Sequence, residues 1–213
     1  MSTNHEPVDS AILDRLERCS PSAVADTKHE SVETLASAIE PVHPDCTFAG
    51  TVRTVVLDPS ALWAPVQTLD TALEDEVVVV DTDDSVEEAV WGELLSTYAQ
   101  SAGVRGMVTN GAVRDIDGIA ALGFPVFARA ATPRGPSGRD EAERNVQVTV
   151  GGASISPGDV LVGDESGVVV IGRDAVEEVT SAAETVAQKE RDVARLIHDG
   201  QSLEQAFENG GMG

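Results

Sequence analysis

Apolar positions recur along the chain with two periods. From Asp9 to Arg18, Ile12, Leu13 and Leu16 fall at helical spacing. Ser20-Pro21 then reads as an N-cap with proline at the first helical position, opening a second short helix that reaches about His29. β-Branched residues take over from Phe48 to Leu57, which predicts a strand stopped by Asp58-Pro59. Four consecutive valines, Val77 to Val80, predict a strand covered on both faces. Helical spacing resumes from about Val86 to Ser101, with Gly103 as the C-terminal cap. Gly106 to Thr109 reads as a strand that ends in the turn signal Asn110-Gly111. A helix over Ile116 to Leu122, a strand over Phe124 to Ala130 and a loop over Thr132 to Pro136 follow. Val146 to Val150, Asp159 to Val162 and Val168 to Ile171 predict three further strands. A long helix from Asp174 to about His198 and a mobile glycine-rich tail, 209–213, complete the pattern. Strands and helices alternate in the middle, and strands then cluster before the terminal helix. That order predicts a layered α/β fold in a single domain over 1–213, not a simple doubly wound one.

Composition narrows the function classes. The chain has 213 residues, with 37 acidic against 14 basic side chains and a net charge of −23. Such a surface repels nucleic-acid phosphates, so no nucleic-acid partner is expected. Charge of this sign also maintains solubility where salt screens its self-repulsion, which suggests a halophilic setting. Disorder is disfavoured because apolar residues reach 41%. No apolar run approaches the ~20 residues of a membrane span, and no signal peptide is expected from the polar start. Cys19 and Cys46 form no CxxC pair, so neither a disulfide framework nor a zinc site is expected. His5, His29, His43 and His198 form no metal-ligand spacing. Cytoplasm is the expected compartment.

Candidate chemistry lies between Gly92 and Asp115. Gly92-Glu93-Leu94-Leu95 can cradle a carboxylate on backbone N–H groups, because glycine lets a ligand approach the main chain. The cradle works only if the helix expected from Val86 breaks near Trp91-Gly92 and restarts there; otherwise the segment is an ordinary helix turn. Twenty residues separate Glu93 from Arg114, whose guanidinium can hold an oxo acid through two parallel hydrogen bonds. Asp115 follows at once and suits a magnesium ion, which keeps several waters and often takes one or two protein carboxylates. It also opens the helix Ile116 to Leu122, where N-capping would compete for the same oxygens.

An acid, twenty residues and then Arg-Asp, in this context, resembles the RraA-like family, which includes metal-dependent 4-hydroxy-4-methyl-2-oxoglutarate aldolases. The resemblance runs from about Ser20 to Arg195 and is strongest from Val77 to Pro136. It implies a swivelling β/β/α fold, assembled as a homotrimer or hexamer. It implies that the amides of Gly92 to Leu95 hold the substrate carboxylate, that Arg114 supports the keto oxygen, and that Asp115 binds Mg2+ or Mn2+ directly. Glu93 stands where the aldolases carry aspartate on metal-bound water. The longer side chain puts the usual aldol substrate in doubt more than metal or oxo-acid binding. Glu190 resembles a glutamate that reaches the metal's water shell from a neighbouring subunit. Arg134, in Thr132-Pro133-Arg134-Gly135-Pro136, either meets a distal substrate carboxylate or braces its loop.

The implied activity is cleavage of a 2-oxo acid through a pyruvate enolate, by retro-aldol or by oxaloacetate decarboxylation. A Schiff-base route is disfavoured, because the only lysines, Lys28 and Lys189, lie far from the motif in sequence. The alternative implied by other relatives is a non-catalytic inhibitor of a ribonuclease. Methyl transfer from S-adenosylmethionine, a further label in the family, is not expected: no GxGxG follows any predicted strand.

Overall fold

The computed structural model describes residues 7–56, 63–136 and 143–213, with the backbone alone at 63–64. The strand stop at Asp58-Pro59 and His5 lie outside the described residues. Helices α1 (Ser10–Glu17) and α2 (Pro21–Ala25) open the chain. As expected, the Ser20 hydroxyl caps α2, accepting from the Ala23 N–H at 3.1 Å. Strands β1 (Val32–Thr34), β2 (Glu40–Pro41) and β3 (Phe48–Val56) follow, then α3 (Trp63–Leu69) and β4 (Glu76–Asp81). Next come β5 (Ala89–Trp91), α4 (Glu93–Ser101), β6 (Gly106–Thr109), β7 (Ala112–Val113) and α5 (Ile116–Leu122). β8 (Val126–Ala128), β9 (Ala130–Ala131), β10 (Glu143–Arg144), β11 (Val148–Val150) and β12 (Ala153–Ile155) are short. β13 (Val160–Asp164) and β14 (Gly167–Ile171) lead to α6 (Val176–His198) and α7 (Leu203–Asn209).

Among the described residues, nine strands form one mixed sheet in the order β1-β14-β13-β3-β4-β6-β8-β2, with β10 also paired to β3. The run β3-β4-β6-β8 is parallel; the flanking pairs are antiparallel. β1 and β2 stand at opposite ends of this order, yet only residues 35–39 separate them. Such a link reaches at most about 20 Å, so the sheet must curl until its edges nearly meet. One face looks into the curl. Val77 and Val79 pack there with Phe48, Phe127, Leu161 and the hairpin β11–β12.

The other face carries the helices, because alternate residues of a strand face opposite ways. Val78 and Val80 pack under α3, α4 and α5 on the β4-β6-β8 half, with Leu69, Ala99 and Ile119. α1, α2 and α6 cover the β13-β14 half through Leu13, Leu16, Val24, Val179 and Ala183. The result is the mixed, layered α/β fold expected from the sequence.

The helix expected from Val86 to Ser101 is not one element. Its first part is the strand β5, and the helix begins only at Glu93. Trp91 explains the break. Its indole N–H donates to the buried Ser96 hydroxyl at 2.8 Å, and Trp91 itself is 1% exposed. Burying that ring in the α3–α5 cluster fixes an extended chain just before Gly92. β5, β7 and β9 form a small parallel sheet of their own, so the expected strand Phe124–Ala130 is divided between two sheets. At the C-terminus, Asn209 ends α7, and Gly210 packs so closely on Val193 of α6 that a side chain there would overlap it.

Between the two helical clusters lies a buried ion pair. Arg53 of β3 and Glu76 of β4 are 6% and 3% exposed, and the guanidinium holds both carboxylate oxygens, at 2.6 and 2.9 Å. The Leu73 N–H also donates to Glu76, at 2.7 Å. Cys19 and Cys46 are free and buried, and burial raises both thiol pKa values. No helix among the described residues is long and apolar enough to cross a membrane.

Two measurements test this packing. Glu76→Ala strands the Arg53 charge and is expected to cost about 3–5 kcal/mol in urea unfolding. The double change Arg53→Met with Glu76→Leu should recover most of that loss. Both thiols should resist alkylation at neutral pH in the folded protein, since burial favours the protonated form, and should react on unfolding.

Candidate functional site

Two segments meet beside the small β5-β7-β9 sheet. The Arg114 N–H donates to the Trp91 carbonyl at 3.0 Å, so Gly92 and Arg114 emerge side by side. Gly92 is the N-cap of α4, in extended conformation, and its carbonyl accepts the first helical bond from Ser96 at 3.1 Å. The amides of Glu93, Leu94 and Leu95 precede that bond and have no side-chain cap. Among the described residues they have no acceptor, and they stand at the positive end of a nine-residue helix. A Cβ at position 92 would lie 2.7 Å from Asp115 Oδ2 and 3.1 Å from Arg114 Cγ, so any side chain there would push the carboxylate aside.

Asp115 occupies the N-cap position of α5 but caps nothing with its side chain. Its backbone is left-handed, at φ 58° and ψ 41°, a conformation that costs a typical residue roughly 1–2 kcal/mol and is more accessible to aspartate. The capping role that would compete for its oxygens is therefore unused, and the carboxylate turns toward Gly92. Arg114 Nε stands 3.5 Å from Asp115 Oδ2, and the two side chains are 39% and 46% exposed. Both charges remain open to a ligand.

Two clefts flank this pair. One, about 200 Å³, is lined by Val66, Ala89, Trp91, Gly92, Leu94 and Leu95 together with Arg114 and Asp115. The other, about 290 Å³, is bounded by Arg114 and Asp115, by Val113 and Ile116, and by Ala131 to Pro133. Of the candidate residues, Gly92, Leu94, Leu95, Arg114 and Asp115 thus surround one space. Glu93 starts α4 and lays its carboxylate on Gly118 of α5, where any Cβ would overlap it.

Arg134 lies outside both linings. Its guanidinium is 3.6 Å from Glu87, and its carbonyl accepts from the Ala89 N–H of β5 at 2.7 Å. Gly135 is the residue of that loop that meets the site, packing so tightly on the Arg114 guanidinium that a side chain would displace it. Glu190 is exposed on α6, which covers the β13-β14 half of the sheet. A single chain does not bring it to the clefts.

Gly118 and Gly135 are the residues that sequence reasoning missed. Each is a lone glycine whose only signal is the partner it touches across the fold. Gly118 supports a stability cycle. Gly→Ala in a helix interior ordinarily stabilises by about 1 kcal/mol. At 118 part of that gain should be offset by displacing the exposed Glu93 side chain and restored in a Glu93→Ala background, a non-additivity readable from unfolding midpoints.

Comparison with known proteins agrees with this architecture. A sequence model described as RraA-like, Aldolase/RraA, matches residues 20–170. An uncharacterised protein of Methanocaldococcus jannaschii is 44% identical over 117 residues, which cover 55% of this chain and 56% of that relative. The match thus spans little more than half of that relative's length. A Halalkalibacterium halodurans protein, provisionally named 4-hydroxy-4-methyl-2-oxoglutarate aldolase, is 31% identical across 80% of this chain and 81% of its own. Among solved structures, an uncharacterised Pseudomonas syringae protein superposes with a TM-score of 0.86 at 27% identity, covering 95% of this chain and 99% of that one. The RNA-processing inhibitor RraA of Thermus superposes at 0.64 and 27% identity, over 71% of this chain and 91% of that one. The matched span of more than two-thirds of the sequence and the shared fold make this chain a member of the RraA-like family.

Proposed function

We propose that the chain is a divalent-metal-dependent pyruvate lyase that breaks a carbon–carbon bond of a 2-oxo acid. The observation that carries this reading is the convergence of the start of α4 (Gly92, Leu94 and Leu95), the Arg114 guanidinium and the uncapped Asp115 carboxylate on one cleft. The family membership and the provisionally named aldolase relative support the reaction class.

The donor set suits a hard, largely hydrated cation. No group of three or more His, Cys, Asp or Glu side chains gathers among the described residues. Asp115 would hold Mg2+ or Mn2+ alone, with water and substrate filling the remaining positions, a sparse arrangement that magnesium accepts. When bound, the ion supplies Lewis acidity at the keto oxygen.

The chain's own residues account for the rest. The Glu93, Leu94 and Leu95 amides bind the substrate carboxylate. Arg114 donates to the keto oxygen and stabilises the negative charge that grows there. In a retro-aldol, the 4-hydroxyl gives up its proton, the C3–C4 bond breaks, and the electron pair moves onto the enolate. A carbonyl compound leaves, and protonation at C3 yields pyruvate. Glu93, directly or through a water, is the group assigned to carry the proton. With oxaloacetate the same enolate forms by loss of carbon dioxide.

The proposed assembly is a homotrimer or hexamer in which Glu190 approaches the site of a neighbouring copy. A halophilic, cytoplasmic setting fits the charge of −23. The second reading, inhibition of a ribonuclease by protein contact, is supported by the likeness to the Thermus RNA-processing inhibitor and to a Streptomyces coelicolor member of an RNase inhibitor family.

The test is pyruvate release from oxaloacetate and from 4-hydroxy-4-methyl-2-oxoglutarate in high salt, with magnesium, manganese or chelator. Turnover is expected with either metal and none with chelator. Asp115→Ala should abolish it, and Arg114→Lys should lower kcat by about 100- to 1000-fold. Binding of oxalate, a mimic of the enolate, should depend on Asp115 in parallel. Turnover equal in wild type and Asp115→Ala would sink the lyase reading. Ribonuclease inhibition that survives the Arg114 and Asp115 changes would favour the second.

A further inference from the structure

The same clefts carry information about the other half of the substrate. Once the α4 amides and Arg114 hold the 2-oxo acid end, the remaining walls must receive the part that leaves. Those walls are uncharged. Val66, Ala89, Trp91 and Leu94 line one cleft, and Ile116, Ala131 and Pro133 line the other. Among the described residues, Arg114 is the sole cation in either lining.

Two neighbouring arginines among the described residues are directed elsewhere. Arg134 faces Glu87 at 3.6 Å, and Arg129 binds Asp84 at 2.8 Å. Lysine offers no substitute: Lys28 follows α2, and Lys189 lies on α6, both with the β13-β14 half of the sheet. Among the described residues no further cation would receive a second substrate carboxylate, which would lose water wherever it meets these apolar walls, a costly transfer. The charge of −23 also disfavours a dianion relative to a monoanion, to the extent that salt leaves the field unscreened.

We propose that the chain selects 4-hydroxy-2-oxo acids whose leaving half is uncharged and aliphatic, so that a small aldehyde departs with pyruvate. This rests on the lyase reading and narrows it. Leu94 is the specificity-determining side chain. Its backbone amide belongs to the carboxylate cradle, while its side chain, 80% exposed, stands at the mouth of the apolar cleft.

The test compares 4-hydroxy-2-oxopentanoate with 4-hydroxy-2-oxoglutarate, which differ by a methyl in place of a carboxylate on C4. Pyruvate release is measured with the full chain and magnesium in high salt. The expected kcat/KM is about tenfold or more higher for the methyl compound, a discrimination within reach of one mismatched contact. Leu94→Arg, an exposed position that the fold tolerates, should shift the ratio toward the carboxylate compound. Equal or reversed preference in the wild type, with release still dependent on Asp115, would overturn this inference and leave the lyase reading intact. Release from neither compound, nor from oxaloacetate, together with absent oxalate binding, would overturn both.

Discussion

The backbone hydrogen bond from the Arg114 N–H to the Trp91 carbonyl joins the two segments on which the site depends. It extends the parallel pairing of β5 with β7, so two stretches separated by twenty residues leave the small sheet at the same edge. One continues as Gly92 and the start of α4; the other continues as Asp115 and the start of α5. Both helices pack over the β4-β6-β8 half of the large sheet, and Ala99 and Ile119 anchor them in one cluster. The functional groups are thus borne on element ends held by a rigid core, which suits a site that must position a small ligand.

That arrangement imposes local costs. Asp115 adopts a left-handed backbone, its carboxylate forgoes the cap of α5, and three amides at the start of α4 have no side-chain partner. Strain and unmet hydrogen-bonding capacity gather where a ligand could satisfy them. Three glycines permit the close approach: Gly92 under Asp115, Gly118 under Glu93 and Gly135 against Arg114. In the core, by contrast, the Arg53–Glu76 pair is held by two hydrogen bonds. The contrast separates charges that the core encloses from charges that the site leaves open.

The acidic chain and the anionic ligand proposed for it pull in opposite directions. A charge of −23 would repel a 2-oxo acid at long range, while Arg114 and the α4 helix end would attract it at contact. Salt reconciles the two, because screening acts over roughly 8–10 Å near physiological ionic strength and over less in brine. Long-range repulsion fades, while contacts within the cleft are screened less. On the proposed reading, a salt-rich setting would let the acidic surface maintain solubility without costing the site its attraction.

Much of the site was legible in the chain itself. The Glu93-x20-Arg114-Asp115 spacing, the β-branched run of β4 and the turn at Asn110-Gly111 are local properties, and local properties persist in the fold. The N-cap at Ser20 was legible for the same reason, since a cap acts within one helical turn. What the chain alone left open was decided by contacts between distant segments. Helical spacing ran unbroken from Val86 to Ser101, and burial of Trp91 with its bond to Ser96 turned the first part into β5. The choice for Asp115 between capping and an open carboxylate followed from its left-handed backbone. Gly118 and Gly135 carry no pattern, because each is defined by the side chain that crosses the fold to meet it. Spacing and residue type therefore determined which groups this protein has for chemistry. Tertiary packing decided which of them share a cleft, because only long-range contacts bring backbone ends and side chains within bonding distance.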